Sequence, residues 1–259
     1  MESIVAQKVD FEYEIIVVDN SANPLNAQKL APLSKYPNVT IFINETNVGY
    51  VRGNNRGVKR AKGEYIFIVN PDIIWGDENN FQELIDYMDK HPEIGVLGPK
   101  EINDCDGSIA MTVRAFPTLF LQIARRTMLR KVPVISSFVA HDECRDMNYN
   151  VPQAVDWLQS SFWVTRQSLW NKIGGLDKCY LIFMSDPDYC WKCWKEGFEV
   201  VYYPKILVHA DGIRASAGGI KEFFAKWILR QHLKDALKYG FAHMLRRNPR
   251  NEYLKQIKN

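Results

Sequence analysis

Two aspartates stand where apolar runs of this 259-residue chain stop, and a third stands at the head of a helical pattern. Asp72 closes the stretch Gly63-Glu64-Tyr65-Ile66-Phe67-Ile68-Val69-Asn70-Pro71-Asp72. Tyr65 to Val69 reads as a strand buried on both faces, as inside a parallel sheet, and Pro71 ends it because proline has no N–H for a ladder. A carboxylate leaving the carboxyl end of such a strand is placed to share a divalent cation with phosphate oxygens, since magnesium takes one or two carboxylates and leaves other positions open. The plainer reading is a turn acid capping the next helix. Asp19 ends the run Tyr13-Glu14-Ile15-Ile16-Val17-Val18 in the same manner. As a pure acceptor it suits the N3–H of uracil or thymine, and it equally suits an Asx-turn or a helix cap. Asp186 precedes Pro187 and Asp188, the arrangement of an N-capped helix with an acid in its first turn.

The elements that position these acids follow from pattern. Leu25–Ser34 reads as a helix and Val39–Ile43 as a strand, followed by Asn47-Val48-Gly49-Tyr50-Val51-Arg52-Gly53-Asn54-Asn55-Arg56-Gly57 opening a helix to Gly63. Its glycines allow close backbone approach and its start offers N–H groups to an anion, with Arg52 and Arg56 sharing a face; a plain glycine-rich turn is the alternative. The spacing is neither the dinucleotide fingerprint nor a Walker loop. Phe81–Lys90 is helical, Ile94–Pro99 a short strand, and Gln167–Ile173 a helix closed by Gly174-Gly175. The helix after Asp186 is expected from Pro187 to Glu196, burying Cys190, Cys193 and Trp194. Arg114 suits bidentate contact with a phosphate or a surface position. Trp157 suits a sugar face or the core. Residues 119–150, with the basic cluster Arg125, Arg126, Arg130 and Lys131, fit a solvated face or a flap touching anionic lipid or a pyrophosphate-linked acceptor. Ile206-Leu207-Val208 leads into His209, and Arg214 and Ser216 follow on a glycine-containing loop.

Composition is that of a folded chain: 46% hydrophobic and 24% charged residues leave disorder unexpected. A net charge of +3 is too small to argue for nucleic acid. No signal peptide or spanning apolar run is evident, and five scattered cysteines point to a reducing compartment, hence the cytoplasm. Cys190-x-x-Cys193 has zinc-like spacing without a second pair, so two thiols on a packed helix face is the better reading.

Val-Val-Asp-Asn-Ser at 17–21, Asn-x-Gly-Tyr-x-x-Gly-Asn-Asn-x-Gly at 47–57, Gly-Glu-Tyr…Asn-Pro-Asp at 63–72 and Arg-x-Phe-Pro-Thr at 114–118 occur in that order. Together they resemble the inverting family 2 glycosyltransferases of rhamnosyltransferase type. The resemblance implies a GT-A fold, an α/β architecture with a Rossmann-like mixed sheet flanked by helices. It places Asp19, Ser21, Asn47, Gly49, Asn54, Asn70 and Asp72 at the nucleotide-sugar donor. Asp72 and His209 become ligands of Mg2+ or Mn2+, although His209 read alone is satisfied structure. Asp186 takes the place of the catalytic base in the family's Glu-Asp-x-Asp element, with Ser185 where the family has Glu. Arg114, Trp157, Asp188 and Arg214 are candidates for acceptor or phosphate contact. Ser160-Ser161 stands where relatives carry a glycine-containing step, a departure that bears on acceptor identity.

The family's central first strand and following helix are not found ahead of Tyr13–Val18, so a gap or an exposed sheet edge is expected. Residues 1–219 are assigned to the transferase domain and 220–259 to an amphipathic basic helical tail. In that tail Phe223, Phe224, Trp227, Ile228, Leu237 and Phe241 alternate with lysines and arginines. It fits packing on the domain or lying peripherally on the inner face of an anionic membrane. The implied activity is metal-assisted inverting transfer of a sugar, L-rhamnose from a dTDP donor (UDP being the other nucleotide considered), to a polysaccharide or lipid-linked glycan. The rivals are a non-catalytic binding or assembly subunit and a sugar nucleotidyltransferase; oligomeric state is left open.

Overall fold

The computed structural model describes residues 1–212, 227–244 and 246–257. A short helix α1 (Glu2–Val5) leads to β1 (Ile15–Asp19), α2 (Pro24–Leu30) and β2 (Val39–Ile43). The side chain of Asn23 caps α2 by accepting from Leu25 N–H, and Pro24 occupies its first turn. β1 and β2 pair in parallel, Ile15 opposite Val39 and Asp19 opposite Ile43, and form a two-stranded sheet of their own. α3 (Gly49–Val58) then leads into β3 (Tyr65–Val69), which belongs to a second sheet.

That second sheet is mixed. β4 (Ile74–Trp75), α4 (Asn80–Lys90), β5 (Ile94–Asn103) and β6 (Val113–Arg114) follow β3. α5 (Leu119–Arg126), α6 (Pro133–Asp142), β7 (Gln153–Ala154), β8 (Trp157–Leu158) and β9 (Phe162–Arg166) come next. The chain closes with α7 (Gln167–Ile173), α8 (Ser185–Lys195), β10 (Glu199–Ala210), α9 (Trp227–His243) and α10 (Pro249–Gln256). The order is β3-β9-β5-β10-β4, with β7 on β10 and a separate β6–β8 ribbon. β3 runs antiparallel to β9, whereas β5 and β10 are parallel. The fully buried parallel strand expected at Tyr65–Val69 is therefore corrected: Ile66 and Ile68 are buried, Tyr65, Phe67 and Val69 half-buried, and the ladder partner is antiparallel. The expected edge is present: within the described residues β1 is laddered only by β2 and β3 only by β9.

Two apolar layers sandwich the larger sheet. On one face Phe81, Leu84 and Met88 of α4 pack with Trp75, Leu97, Phe162 and Tyr203. Phe67 meets Phe81 edge-on at 4.4 Å between ring centroids. The buried Gln7 side chain accepts from Phe81 N–H at 3.0 Å and so caps α4. On the other face Tyr189, Cys190, Cys193 and Trp194 of α8 pack on Trp163 and Val96. Both α8 cysteines are buried and all five cysteines are free thiols, the packed-face reading of Cys190 and Cys193. Ala236 and Tyr239 of α9 belong to this same layer, so the described part of the C-terminal segment is built into the core. Residues 119–150, unreadable by pattern, are mostly helical, while Arg214, Ser216, Phe223 and Phe224 fall outside the described residues, as do the side chains of Arg125 and Arg126.

Candidate active site

β3 ends where expected, and its last turn is held by the segment joining β8 to β9. Asn70 N–H donates to the Ser161 carbonyl at 2.7 Å, and Ile73 N–H returns to the Asn70 carbonyl. Asp72 emerges half-buried from this turn and hydrogen-bonds Asp211, just beyond β10. Burial raises its pKa, and the neighbouring Asp211 carboxyl raises it further.

Asp186 reaches the same place from α8. The Ser160 N–H donates to its Oδ2 at 3.2 Å, and burial pushes its carboxyl above the ordinary range against that hydrogen bond. The Tyr50 hydroxyl of α3 donates to the Ser160 carbonyl at 2.7 Å, with Ser160 Oγ at 3.0 Å. Burial raises the Tyr50 phenol pKa, and the charges of both Asp186 and Asp72 add to the rise. Acids more than a hundred residues apart in sequence thus lie within electrostatic reach of one phenol. Ser160-Ser161 is the hub between them.

A fourth acid belongs here. Glu101 of β5 is 3% exposed, takes a 2.5 Å hydrogen bond from Ser161 Oγ, and is pushed up to about 7 by burial, with Asp72 adding to the rise. Nothing beside it in sequence marks it; a lone acid late in an apolar strand is the only signal. Asp211, two residues after the strand-end His209, carries a comparably weak local signal.

The residues expected at the donor connect to this hub through α3. Asp19 Oδ1 accepts from Ser21 N–H at 2.8 Å, while its Oδ2 is buried without a hydrogen-bond partner among the described residues. Ser21 Oγ accepts from Asn23 N–H. Asn47 Oδ1 accepts from Gly49 N–H and from the Asn20 side chain, both at 3.0 Å, and Asn54 Nδ2 donates to the Tyr50 carbonyl. Gly49 is required by packing: its φ is +83°, and a Cβ there would lie 2.4 Å from Leu181 Cδ1. The open anion site expected at the start of α3 is corrected, since Val51 N–H is spent on the Leu181 carbonyl at 3.2 Å. Arg56 is likewise engaged, by Asn44, whereas Arg52 lies on the exposed face.

Other candidates fall elsewhere. Asp186 is not the N-cap of α8; that position is Met184, in the left-handed region at φ +65°, and the helix begins at Ser185. Asp188 is buried and pairs with Lys192 at 2.7 Å and His243 at 3.4 Å, so it ties α8 to α9 instead of meeting an acceptor. Burial raises its pKa and lowers that of His243. Arg114 is not at the surface: its guanidinium is largely buried and faces Glu143 at 3.9 Å. Trp157 is half-buried against the core with Nε1 on the Ala115 carbonyl. Arg214 lies outside the described residues.

The metal expectation meets a mixed donor set. No group of three or more His, Cys, Asp or Glu arranged to hold an ion occurs among the described residues. The hydrogen-bonded Asp72–Asp211 pair is nevertheless a hard-oxygen pair of the kind Mg2+ and Mn2+ take. His209 has Nδ1 on Asp104 Oδ1 at 2.8 Å, the carboxylate-oriented arrangement that leaves Nε2 for a cation. The carboxylate pair fits such an ion, but His209 does not join Asp72 and Asp211 in one ligand group.

A mixed sheet between helical layers, with acids gathered at the ends of β3, β5, β10 and the start of α8, is the GT-A architecture. Structures sharing it include GalNAc-T7 with UDP, GalNAc and Mn2+ (TM-score 0.58, 16% identity, 88% of this chain and 44% of that one). Another is the mannosyltransferase PcManGT from Pyrobaculum calidifontis in complex with GDP-Man and Mn2+ (TM-score 0.54, 12% identity, 98% and 73%). The sequence model of glycosyl transferase family 2 matches residues 1–145, and the chain belongs to that family. Among curated relatives, the N-acetylglucosaminyl-diphospho-decaprenol L-rhamnosyltransferase of Mycobacterium tuberculosis (strain ATCC 25618 / H37Rv) is 28% identical over 205 residues. That match covers 75% of this chain and 65% of the relative, just under two thirds of its length. Rhamnosyltransferase WbbL of Escherichia coli (strain K12) is 26% identical over 249 residues, covering 89% and 83%.

Proposed function

We propose that this chain transfers L-rhamnose, with inversion, from a dTDP-activated donor to a lipid-linked or polysaccharide glycan bearing N-acetylglucosamine. The observation that carries the reading is the meeting of Asp72 and Asp186 around Tyr50 and Ser160-Ser161. Inverting displacement needs one base on the acceptor side and charge stabilisation on the leaving-group side. Asp186 is the base: it removes the acceptor hydroxyl proton as that oxygen attacks the anomeric carbon. Its Ser160 N–H contact fixes the orientation of the carboxylate, and its raised pKa makes it a stronger acceptor of that proton. Asp72, with Asp211 beside it, would hold Mg2+ or Mn2+, which when bound supplies positive charge beside the departing diphosphate. The unpartnered Asp19 Oδ2 supplies an acceptor for a base N3–H. No covalent enzyme intermediate is involved.

The acceptor class is supported by the likeness to the mycobacterial N-acetylglucosaminyl-diphospho-decaprenol L-rhamnosyltransferase and by the outer surface of α9. Leu233, Leu237, Phe241 and Met244 are exposed on that helix beside Arg230, Lys234 and Lys238, while Gln231, His232 and Asp235 are buried. Apolar and basic residues together facing outward suit the cytoplasmic surface of an anionic membrane. No described helix is long and apolar enough to cross one.

The test is calorimetry of the purified chain against a panel of nucleotide sugars with Mn2+ or Mg2+, then transfer to a lipid-diphosphate N-acetylglucosamine acceptor. Release of nucleoside diphosphate with a glycosylated lipid is expected. Pyrophosphate release supports the nucleotidyltransferase instead, and binding without any turnover supports a non-catalytic subunit.

A further inference from the structure

Asp235 of α9 is fully buried, and its carboxylate is directed at the loop that delivers Asp186. Its Oδ2 accepts three successive backbone N–H groups, from Leu181 at 3.3 Å, Ile182 at 3.2 Å and Phe183 at 3.1 Å. Its Oδ1 accepts from Gln231 Nε2 at 2.9 Å. Consecutive amides converging on one anion make a concave, charge-assisted clamp, stronger than the same number of neutral bonds. The clamped loop is gripped from its other side by the donor-binding helix. Leu181 gives its carbonyl to Val51 N–H and its side chain to the space left by Gly49. Phe183 packs on the His232 ring of α9 at 4.5 Å between centroids. Met184 then takes its left-handed backbone conformation and Ser185 opens α8, which puts Asp186 three residues beyond the last clamped amide.

A non-glycine residue in the left-handed region costs energy that surrounding contacts must offset. On the N-terminal side of Met184 the three Asp235 hydrogen bonds are the charge-assisted contacts, beside the packing of Leu181 on α3 and of Phe183 on His232. We propose that Asp235 is a positioning residue for the transfer: by holding 181–183 it sets where Asp186 stands relative to α3 and the donor bound beside it. This rests on the functional reading above for the role of Asp186, while the clamp itself does not. The alternative is that Asp235 only fastens α9 to the core.

The experiment combines amide hydrogen exchange and steady-state kinetics on the whole chain carrying Asp235→Asn, alone and with Asp186→Asn. Loss of the charge is expected to speed exchange at 181–186 by about tenfold or more while β5 and β9 amides are unchanged. Turnover is expected to fall roughly tenfold while dTDP affinity with Mn2+ stays within about threefold, because a small displacement of a reacting group costs rate more than binding. Added to Asp186→Asn, the second substitution should cost nothing further. Unchanged exchange at 181–186, or an equal loss of activity in the Asp186→Asn background, overturns the proposal. A wild-type chain without transferase activity contradicts the functional reading instead, and the exchange measurement still decides whether the clamp exists.

Discussion

Asp186 and Asp188 are two residues apart and do opposite things. On a helix, neighbours i and i+2 face different ways, so one carboxylate turns to the cleft while the other meets Lys192 and His243 inside. Because burial raises the Asp186 pKa, the acid limb of kcat/KM should lie above the ordinary carboxylate range, with activity lost as pH falls and the base becomes protonated. A limb at the ordinary Asp value would contradict this placement. Glu101 permits a stability test. Its folded pKa of about 7 exceeds its ordinary 4.5, so its contribution to stability is complete below the unfolded value and is lost as pH rises through the folded one. In metal-free protein, wild type should therefore lose on the order of 3 kcal/mol relative to Glu101→Gln between acid and mildly alkaline pH. Denaturant melts at several pH values measure it, and a pH-independent difference would count against the buried carboxyl. Motif spacing made Asp19, Asp72 and Asp186 legible. Glu101, Asp211 and Asp235 were not, because their partners are distant in sequence and no local pattern announces them.

Elements read well where burial follows periodicity and badly where it does not. α4 has buried residues at helical spacing, and α4 and α7 end at His91 and at Gly174 with φ +87°, as expected. α9 blurs the usual rule: its polar residues Gln231, His232 and Asp235 are buried alongside Leu229, Ala236 and Tyr239 while Leu233, Leu237 and Phe241 face outward, so pattern gives the helix but not its packed face. α5 and α6 hide for a related reason, with Phe120, Val134 and Phe138 more than half exposed. The start of α3 was read as a ligand cradle because glycine permits close approach; here it is Leu181 that approaches. Gly49→Ala should accordingly destabilise the fold by roughly 2–5 kcal/mol, combining left-handed strain with overpacking. Urea unfolding of the two proteins checks this, and a near-neutral change would show that Leu181 yields freely.

At the scale of the molecule, the side built on β1 and α3, proposed for the donor, meets the side built on α8 and α9, proposed for the acceptor, and the Ser160-Ser161 turn joins them. The outward stripe of α9 gives the acceptor side a surface suited to lipid. Phe241→Glu, at a position 69% exposed, should reduce co-sedimentation with anionic phospholipid vesicles several-fold, about what one added negative charge and one lost aromatic ring imply, without lowering thermal stability. Equal vesicle binding by both proteins would remove the membrane from the account. The most direct trial of the central claim compares Asp72→Asn and Asp186→Asn for both Mn2+-dependent donor binding and transfer. Asp186→Asn should bind donor as wild type does and transfer roughly 10²–10⁴ times more slowly, while Asp72→Asn should lose the metal-dependent part of donor binding. Transfer at the wild-type rate by Asp186→Asn would contradict it.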